Sequence, residues 1–389
     1  MKKSIIHKIN DLFKFFKDLL IIELNYNSIK ATRALLFMTY RCTSCCRMCT
    51  IWKHGINCDS NKELNLVDWK KVIDELDEVN VEEFELFGGD SLLRKDVTIP
   101  LIEYIKKKNE KAWIDLPTNC NLLDKITAIN LVKSGLDRIY ISLDGPIEVH
   151  DKIRGKNGIF NNVQNALEDL IEAKKELNSK TPYIIINCVV SSLNLHNFEQ
   201  ILPVIEKIGV DGIDFEYVGE FKEENIQNSD VEGVKPTPFY ITLGKSNLLN
   251  RDEAILLKKK IKEIKESVYN YKLLISTIHI DSLKVDDLVN GTIPNKKCYN
   301  CRNMVTIDPY GNIMGCLHYN NFIYGNIKET SFSSIWKNNK HMSFLQSRRL
   351  GKIKICKNCI SGVNRNVTMN QSFYRSAYFH LLGKGFDSP

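Results

Sequence analysis

The chain has 389 residues, 43% hydrophobic and 26% charged, which reads as a soluble globular protein with a large core and a smaller appended unit. No uncharged apolar run is long enough to span a bilayer. The net charge of +7, from 54 basic and 47 acidic residues, is not gathered into a basic tract with aromatic partners; it reads as solvated surface, no nucleic-acid partner is expected, and an anionic substrate or membrane surface remains compatible.

At the N-terminus, Lys2 and Lys3 precede an apolar-looking segment that resembles a secretory signal. Ile5, Ile6, Ile9, Leu12, Phe13, Phe16, Leu19 and Leu20 recur at three and four residues, however, with charged residues such as Lys8, Asp11, Lys14 and Lys17 between them. This predicts an amphipathic helix, which docks on the protein's own core or, as the other fit, lies on a membrane surface. Twelve cysteines without a signal peptide argue for thiols and metal rather than disulfides, and for the cytoplasm.

A strand from Ala34 to Tyr40 feeds into Met38-Thr-Tyr-Arg-Cys-Thr-Ser-Cys-Cys-Arg-Met-Cys-Thr-Ile-Trp52, where Cys42, Cys45, Cys46 and Cys49 fall within eight residues. Such spacing lets a tight loop aim three thiolates at one iron-sulfur cluster and leaves one iron open, in either of two registers, Cys42, Cys46 and Cys49 or Cys42, Cys45 and Cys49. Strands and helices then alternate: helix 66–79, strand 83–87, helix 99–108, strand 112–116, helix 122–134, strand 138–143, helix 160–177, strand 183–190, helix 197–208, strand 212–218. Six strands with helical crossovers imply an α/β fold with a parallel sheet curling into an open barrel, its chemistry carried by the loops after the strands. Gly88-Gly89-Asp90, Thr118-Asn119 and Ser142-Leu-Asp-Gly145 occupy those loops. Residues 219–250 read as a linker or a loop over the barrel mouth, and Asn250 with Glu253 opens a further helix. Cys298, Cys301, Cys316, Cys356 and Cys359 follow; their Cys-x-x-Cys pairs alone would suit a structural zinc.

Together these motifs resemble radical S-adenosylmethionine enzymes: Cys42, Cys46 and Cys49, Phe87-Gly-Gly-Asp-Ser-Leu-Leu-Arg-Lys-Asp96, Thr118-Asn119, Ile141-Ser-Leu-Asp-Gly-Pro146 and His150-Asp-Lys-Ile-Arg-Gly155. The resemblance implies a partial (β/α)6 radical SAM barrel with a smaller C-terminal twitch/SPASM-like domain. It also implies a 4Fe-4S cluster on Cys42, Cys46 and Cys49, the family spacing selecting Cys46 over Cys45, with S-adenosylmethionine on the open iron. By the same resemblance Gly88 and Gly89 let backbone approach the methionine moiety, Asp90 meets its ammonium, Ser142 and Arg154 its carboxylate, and Met48 lies near the adenine. The family usually has Glu at Asp90, Pro at Ser91 and often Gly at Cys120. The second cysteine set resembles a SPASM or twitch domain with one auxiliary 4Fe-4S cluster, on Cys316, Cys356, Cys359 and either Cys298 or Cys301.

The units expected are residues 1–33 (amphipathic helix), 34–220 (barrel), 221–295 (linker and helical segment), 296–365 (auxiliary cluster domain) and 366–389 (tail). The activity implied is reductive cleavage of S-adenosylmethionine to a 5'-deoxyadenosyl radical that abstracts hydrogen from a substrate carbon, with an electron donor such as flavodoxin or ferredoxin. Because the segment before the first strand is short for a peptide-recognition domain, the substrate expected is a small carbohydrate-like or lipid-linked metabolite. Ribosomal peptide maturation is the alternative, and a zinc-stabilised nucleic-acid-binding protein the alternative of another class.

Overall fold

The computed structural model describes residues 29–240, 245–267, 271–293, 298 and 300–359. The expected N-terminal helix, and with it the membrane contact, lies outside the described residues, as does the tail 366–389. Among the described residues no helix is long and apolar enough to cross a membrane.

Ten strands form one sheet: β1 (Arg33–Phe37), β2 (Glu83–Phe87), β3 (Trp113–Thr118), β4 (Arg138–Ser142), β5 (Tyr183–Val190), β6 (Gly212–Tyr217), β7 (Leu274–Ser276), β8 (Met304–Ile307), β9 (Asn312–Cys316) and β10 (Tyr319–Asn326). Their order is β10-β9-β8-β1-β2-β3-β4-β5-β6-β7. From β1 to β6 every neighbour is parallel, as strand-helix alternation requires. Local signals set the helix starts. The Asn65 side chain accepts from the Val67 and Asp68 amides while Asp68 accepts from that of Asn65, opening the helix Leu66–Glu78. Asn250 and Glu253 exchange the same pair of bonds ahead of Arg251–Ser267, as expected. The helix expected over 197–208 is a 3-10 turn, Phe198–Ile201, followed by Leu202–Ile208, with Pro203 in its first turn where a missing amide costs nothing.

Two features extend the expected barrel. β7 is a seventh parallel strand, on β6; three residues are too few to show a period of two. The second cysteine region does not build a sheet of its own, because β8 pairs parallel with β1, from Arg33↔Met304 to Leu36↔Ile307, and the antiparallel β9 and β10 continue from it.

Strand alternation sorts side chains to two faces. Phe84, Leu86, Ile114, Leu116, Ile139 and Ile141 join the buried core. The opposite face, toward the barrel interior, carries Arg33, Glu83, Glu85, Trp113, Asp115, Arg138, Tyr140, Ser142, Asn187, Asp214 and Glu216. Ion pairs close its floor. Arg33 Nε lies 2.5 Å from Glu83, and Arg138 grips Asp115 through Nε (2.9 Å) and Nη2 (2.8 Å) while its guanidinium faces Trp113 and Tyr140. Above this floor the ionisable groups are mostly carboxylates.

Burial pushes the Glu85 carboxyl up to about 7; Asp115 and Glu216 add to the rise and Arg33 and Arg138 oppose it. A carboxyl with a raised folded-state pKa binds its proton more tightly folded than unfolded. Its contribution to stability is present below the ordinary carboxylate range and lost as pH rises toward 7. Glu85→Gln is expected to match wild type near pH 4.5 and to exceed it by about 1–3 kcal/mol above pH 7, measured by urea denaturation across pH.

Candidate active site

After β1 the chain turns over the barrel mouth as the cysteine loop, which is clamped from three directions. On the β2 side, Gly89 N donates to Thr39 O (2.9 Å) and Asp90 N to Arg41 O (2.9 Å). Gly88 sits at φ +148°, and a Cβ there would come within 2.4 Å of Thr39 O; one at Gly89 would come within 2.2 Å of Arg41 O. The resemblance gave these glycines to a ligand's approach, but the cysteine loop itself already requires them. On the β4 side, Cys45 N donates to Arg154 O (3.1 Å) and Arg47 N to Ile153 O (3.0 Å), the carbonyls ending the helix Ile147–Arg154. From the third direction, Thr50 N and Oγ1 both donate to Phe239 O, at 2.7 and 2.6 Å, so the stretch before residue 240 docks on the cysteine loop. Glu63, which the sequence gave no reason to single out, is buried beneath. It accepts from Thr39 Oγ1 (2.6 Å), Arg41 Nη2 (3.0 Å) and Arg94 Nη1 (2.7 Å), binding the loop to the turn after β2.

Within the loop Cys46 is buried, Cys42 and Cys49 are partly buried, and Cys45 is exposed. Asn119 Nδ2 lies 3.6 Å from Cys42 Sγ, and Arg154 Nη1 lies 3.7 Å from Cys46 Sγ. Burial, with the Cys46 sulfur adding to it, pushes Cys42 and Cys49 up to about 12. Three soft donors thus share one desolvated volume, where a bound cation is what makes thiolates favourable; the donor set fits an iron-sulfur cluster.

Asp90 is 1% exposed and accepts from Thr43 Oγ1 (3.1 Å), Thr118 Oγ1 (3.3 Å) and Leu92 N (3.3 Å). Burial raises its pKa, and among the described residues no Lys or Arg forms an ion pair with it. Such a carboxylate fits a ligand ammonium. Ser142 ends β4 on the interior face. Arg154 is fixed by Asp144 Oδ2, 2.7 Å from its Nε, and Asp144 is fixed in turn by Val189 N (3.1 Å) and, through its carbonyl, by Asn194 Nδ2 (2.7 Å). His150 completes this corner as an acceptor from Asp144 N (3.1 Å), with burial lowering its pKa to about 4 and keeping it neutral. Met48 is buried in the core beside the loop. Cys120 has φ +65°, a left-handed conformation that explains glycine at this place in the family.

In the second set, Cys316 ends β9, Cys301 lies in the helix Asn300–Asn303 and Cys356 in the turn Lys354–Lys357. Burial raises Cys316 far above the ordinary thiol range, with Cys356, Cys359 and Cys298 adding to it. Tyr240 packs on His318 with ring centroids 5.4 Å apart; burial raises its pKa, and Cys49, Glu216, Glu85 and Cys359 contribute. From β6 and the short helix Ile278–Asp281 after β7, ligand atoms of Asp214, Glu216 and His279 lie within 4.8 Å of one another. The sequence did not single out Tyr240 or this trio; alternation on β6 could have paired Asp214 with Glu216, but nothing local brings in His279. A cavity of about 520 Å3 opens beside the loop, lined by Thr50, Lys53, His54, Glu223 and Lys235 among others.

Cys46→Ala is expected to lose about four irons per chain after anaerobic reconstitution and Cys45→Ala none, measured by iron and sulfide content; the opposite pattern would reverse the register. Gly89→Ala should lose the same irons, because its Cβ overlaps the loop carbonyl.

Two family models match the chain, one for the radical SAM superfamily over residues 36–214 and one for the SPASM iron-sulfur cluster-binding domain over 298–360. PqqA peptide cyclase of Bradyrhizobium diazoefficiens is 28% identical over 183 residues, 46% of this chain and 44% of that protein, so the chain spans about half the length of this relative. Fe-coproporphyrin III synthase of Methanosarcina barkeri is 23% identical over 312 residues, 77% of this chain and 72% of that protein. Among solved structures, Streptococcus suis SuiB bound to S-adenosylmethionine superposes with a TM-score of 0.60 at 17% identity, covering 86% of this chain and 74% of that one; SuiB has also been solved with its precursor peptide SuiA. Sequence match and fold agree with the chemistry of the loop, and the chain belongs to the radical S-adenosylmethionine superfamily, as an enzyme with a C-terminal SPASM iron-sulfur domain.

Proposed function

We propose that this enzyme abstracts hydrogen from a carbon of a peptide substrate held in the barrel interior. When bound, the 4Fe-4S cluster and S-adenosylmethionine supply a 5'-deoxyadenosyl radical, and an auxiliary cluster supplies an electron acceptor. Cys42, Cys46 and Cys49 would hold the first cluster, and the cysteines between 298 and 359 the second. Asp90 would receive the ammonium of S-adenosylmethionine. Arg154, immobilised on Asp144, and Ser142 would receive its carboxylate, and Met48 would lie near its adenine. A reducing cytoplasm suits such thiolates, and flavodoxin or ferredoxin is a suitable electron donor.

The expected carbohydrate-like or lipid-linked substrate gives way here to the peptide alternative. Support comes from the likeness to PqqA peptide cyclase, whose name assigns it a peptide, and to the fold of SuiB, solved with a precursor peptide. The observation that carries the reading is the interior face, where Asp214 and Glu216 stand above a floor of closed ion pairs. Like charges repel strongly at low dielectric, so this interior disfavours a polyanion and accepts a neutral or cationic peptide segment. The zinc-stabilised nucleic-acid-binding alternative falls away with membership of an enzyme superfamily.

A tetrapyrrole is the second reading. It is favoured by one observation: Fe-coproporphyrin III synthase and the AdoMet-dependent heme synthase of Nitratidesulfovibrio vulgaris align over 77% and 78% of this chain, well beyond the stretch 36–214.

The test is anaerobic reconstitution followed by S-adenosylmethionine and dithionite. Formation of 5'-deoxyadenosine is expected, and its absence with every candidate substrate would count against the radical reading. Deuterated peptides should pass deuterium into that product. Transfer from deuterated coproporphyrin propionates, with none from peptides, would replace the first reading by the second.

A further inference from the structure

Each cysteine set has an arginine turned toward one of its sulfurs. Arg154 Nη1 lies 3.7 Å from Cys46 Sγ, and Arg348 Nη1 lies 3.5 Å from Cys301 Sγ. The first belongs to the S-adenosylmethionine bed, whereas the second has no part in the function derived so far. The helix that carries it, Asn339–Arg349, is fixed from several sides. Asn338 Oδ1 caps it through His341 N (2.9 Å), and His341 Nε2 meets the Cys301 carbonyl at 2.8 Å. The His341 ring lies between Tyr324 and Trp336, with centroids 4.6 and 4.2 Å away. Phe344 packs so tightly on β9 that a Cβ at Gly315, the neighbour of Cys316, would come within 2.7 Å of its ring. The guanidinium is therefore held at a set place against the cysteines, with Cys298 and Cys356 also in its field after Cys301.

Cys301 is 4% exposed with its sulfur accepting from Arg348. We propose that Arg348 is a positioning residue of the auxiliary site: it holds the Cys301 sulfur at a set place in the second cysteine set, and its fixed charge eases reduction of the cluster that this set holds. This rests on the reading that the second set binds a 4Fe-4S cluster. A positive charge beside a cluster favours the more negative, reduced form, one of the levers by which a protein sets such potentials.

The test uses the full chain, reconstituted anaerobically, with iron and sulfide analysis and an EPR-monitored redox titration that follows both clusters. Wild type is expected to carry about eight irons per chain. R348Q should keep its irons and lower the reduction equilibrium constant of the auxiliary cluster about tenfold, which is about 59 mV for a one-electron couple. R348K, which keeps the charge, should restore most of that, and the S-adenosylmethionine cluster's potential should not move in either variant. A purely structural role for Arg348 would lose iron rather than shift one potential. An unmoved potential in R348Q would overturn the charge role. Zinc with only about four irons in wild type would overturn the cluster reading itself, a result separate from either variant's.

Discussion

Everything at the mouth of this barrel depends on two backbones lying closer together than side chains allow. Gly88 and Gly89 let the turn after β2 hydrogen-bond directly onto Thr39 and Arg41, leaving no room for a methyl group at either place. That contact fixes the starting direction of the cysteine loop, and the carbonyls of Ile153 and Arg154 fix its middle. The three sulfurs are then held by the ends of three separate strand-helix units, so their spacing is a property of the fold rather than of a flexible loop. Glu63 adds an electrostatic bond between the same two backbones, its two oxygens shared among a threonine and two arginines. Removing a buried partner of that kind leaves two cations without their shared anion, which is why one carboxylate can matter to a loop it does not adjoin in sequence.

A second organising fact is the charge laid into the sheet. Period-two alternation puts an arginine and a carboxylate together on adjacent strands at the barrel floor, where Arg33 meets Glu83 and Arg138 meets Asp115 with Glu85 in register beside it, and leaves Asp214 and Glu216 above them. The floor is thus neutralised and rigid, while the chamber beneath the cysteine loop keeps a negative bias. Tyr240 is buried beside His318, and sulfurs of both cysteine sets add to the rise in its pKa.

Most of the barrel was legible in the sequence because its elements are long and strongly patterned: β2 and β5 begin and end where alternation and turn residues say they should. The motif loops were legible because each follows a strand. Less legible were elements too short to show a period, β7 above all, and pairings between distant segments. Nothing in Met304-Val-Thr-Ile307 says that it will lie beside β1. Among site residues, the cysteines and the Gly-Gly-Asp turn carry local signatures, whereas Glu63, His279 and Arg348 gain their roles only from neighbours brought in by folding. Cys120 is the instructive middle case. Its departure from glycine could be seen in the sequence, but the reason for glycine, a positive φ, could be seen only in the backbone.

The parallel pairing of β8 with β1 has a further consequence. An appended metal domain on a linker could sit at a range of distances from the barrel, and its electron transfer would vary with every hinge motion. Here the cysteine loop leaves β1, and Cys316 closes β9, one strand beyond β8 in the same sheet. The gap between the two metal regions is therefore measured by a hydrogen-bond ladder, in strand widths of about 4.8 Å and residue steps of about 3.3 Å. A slip of one step would turn the side chains to the opposite face, so the separation cannot drift by small amounts. The chain can lengthen or shorten its outer connections without altering how far an electron must travel.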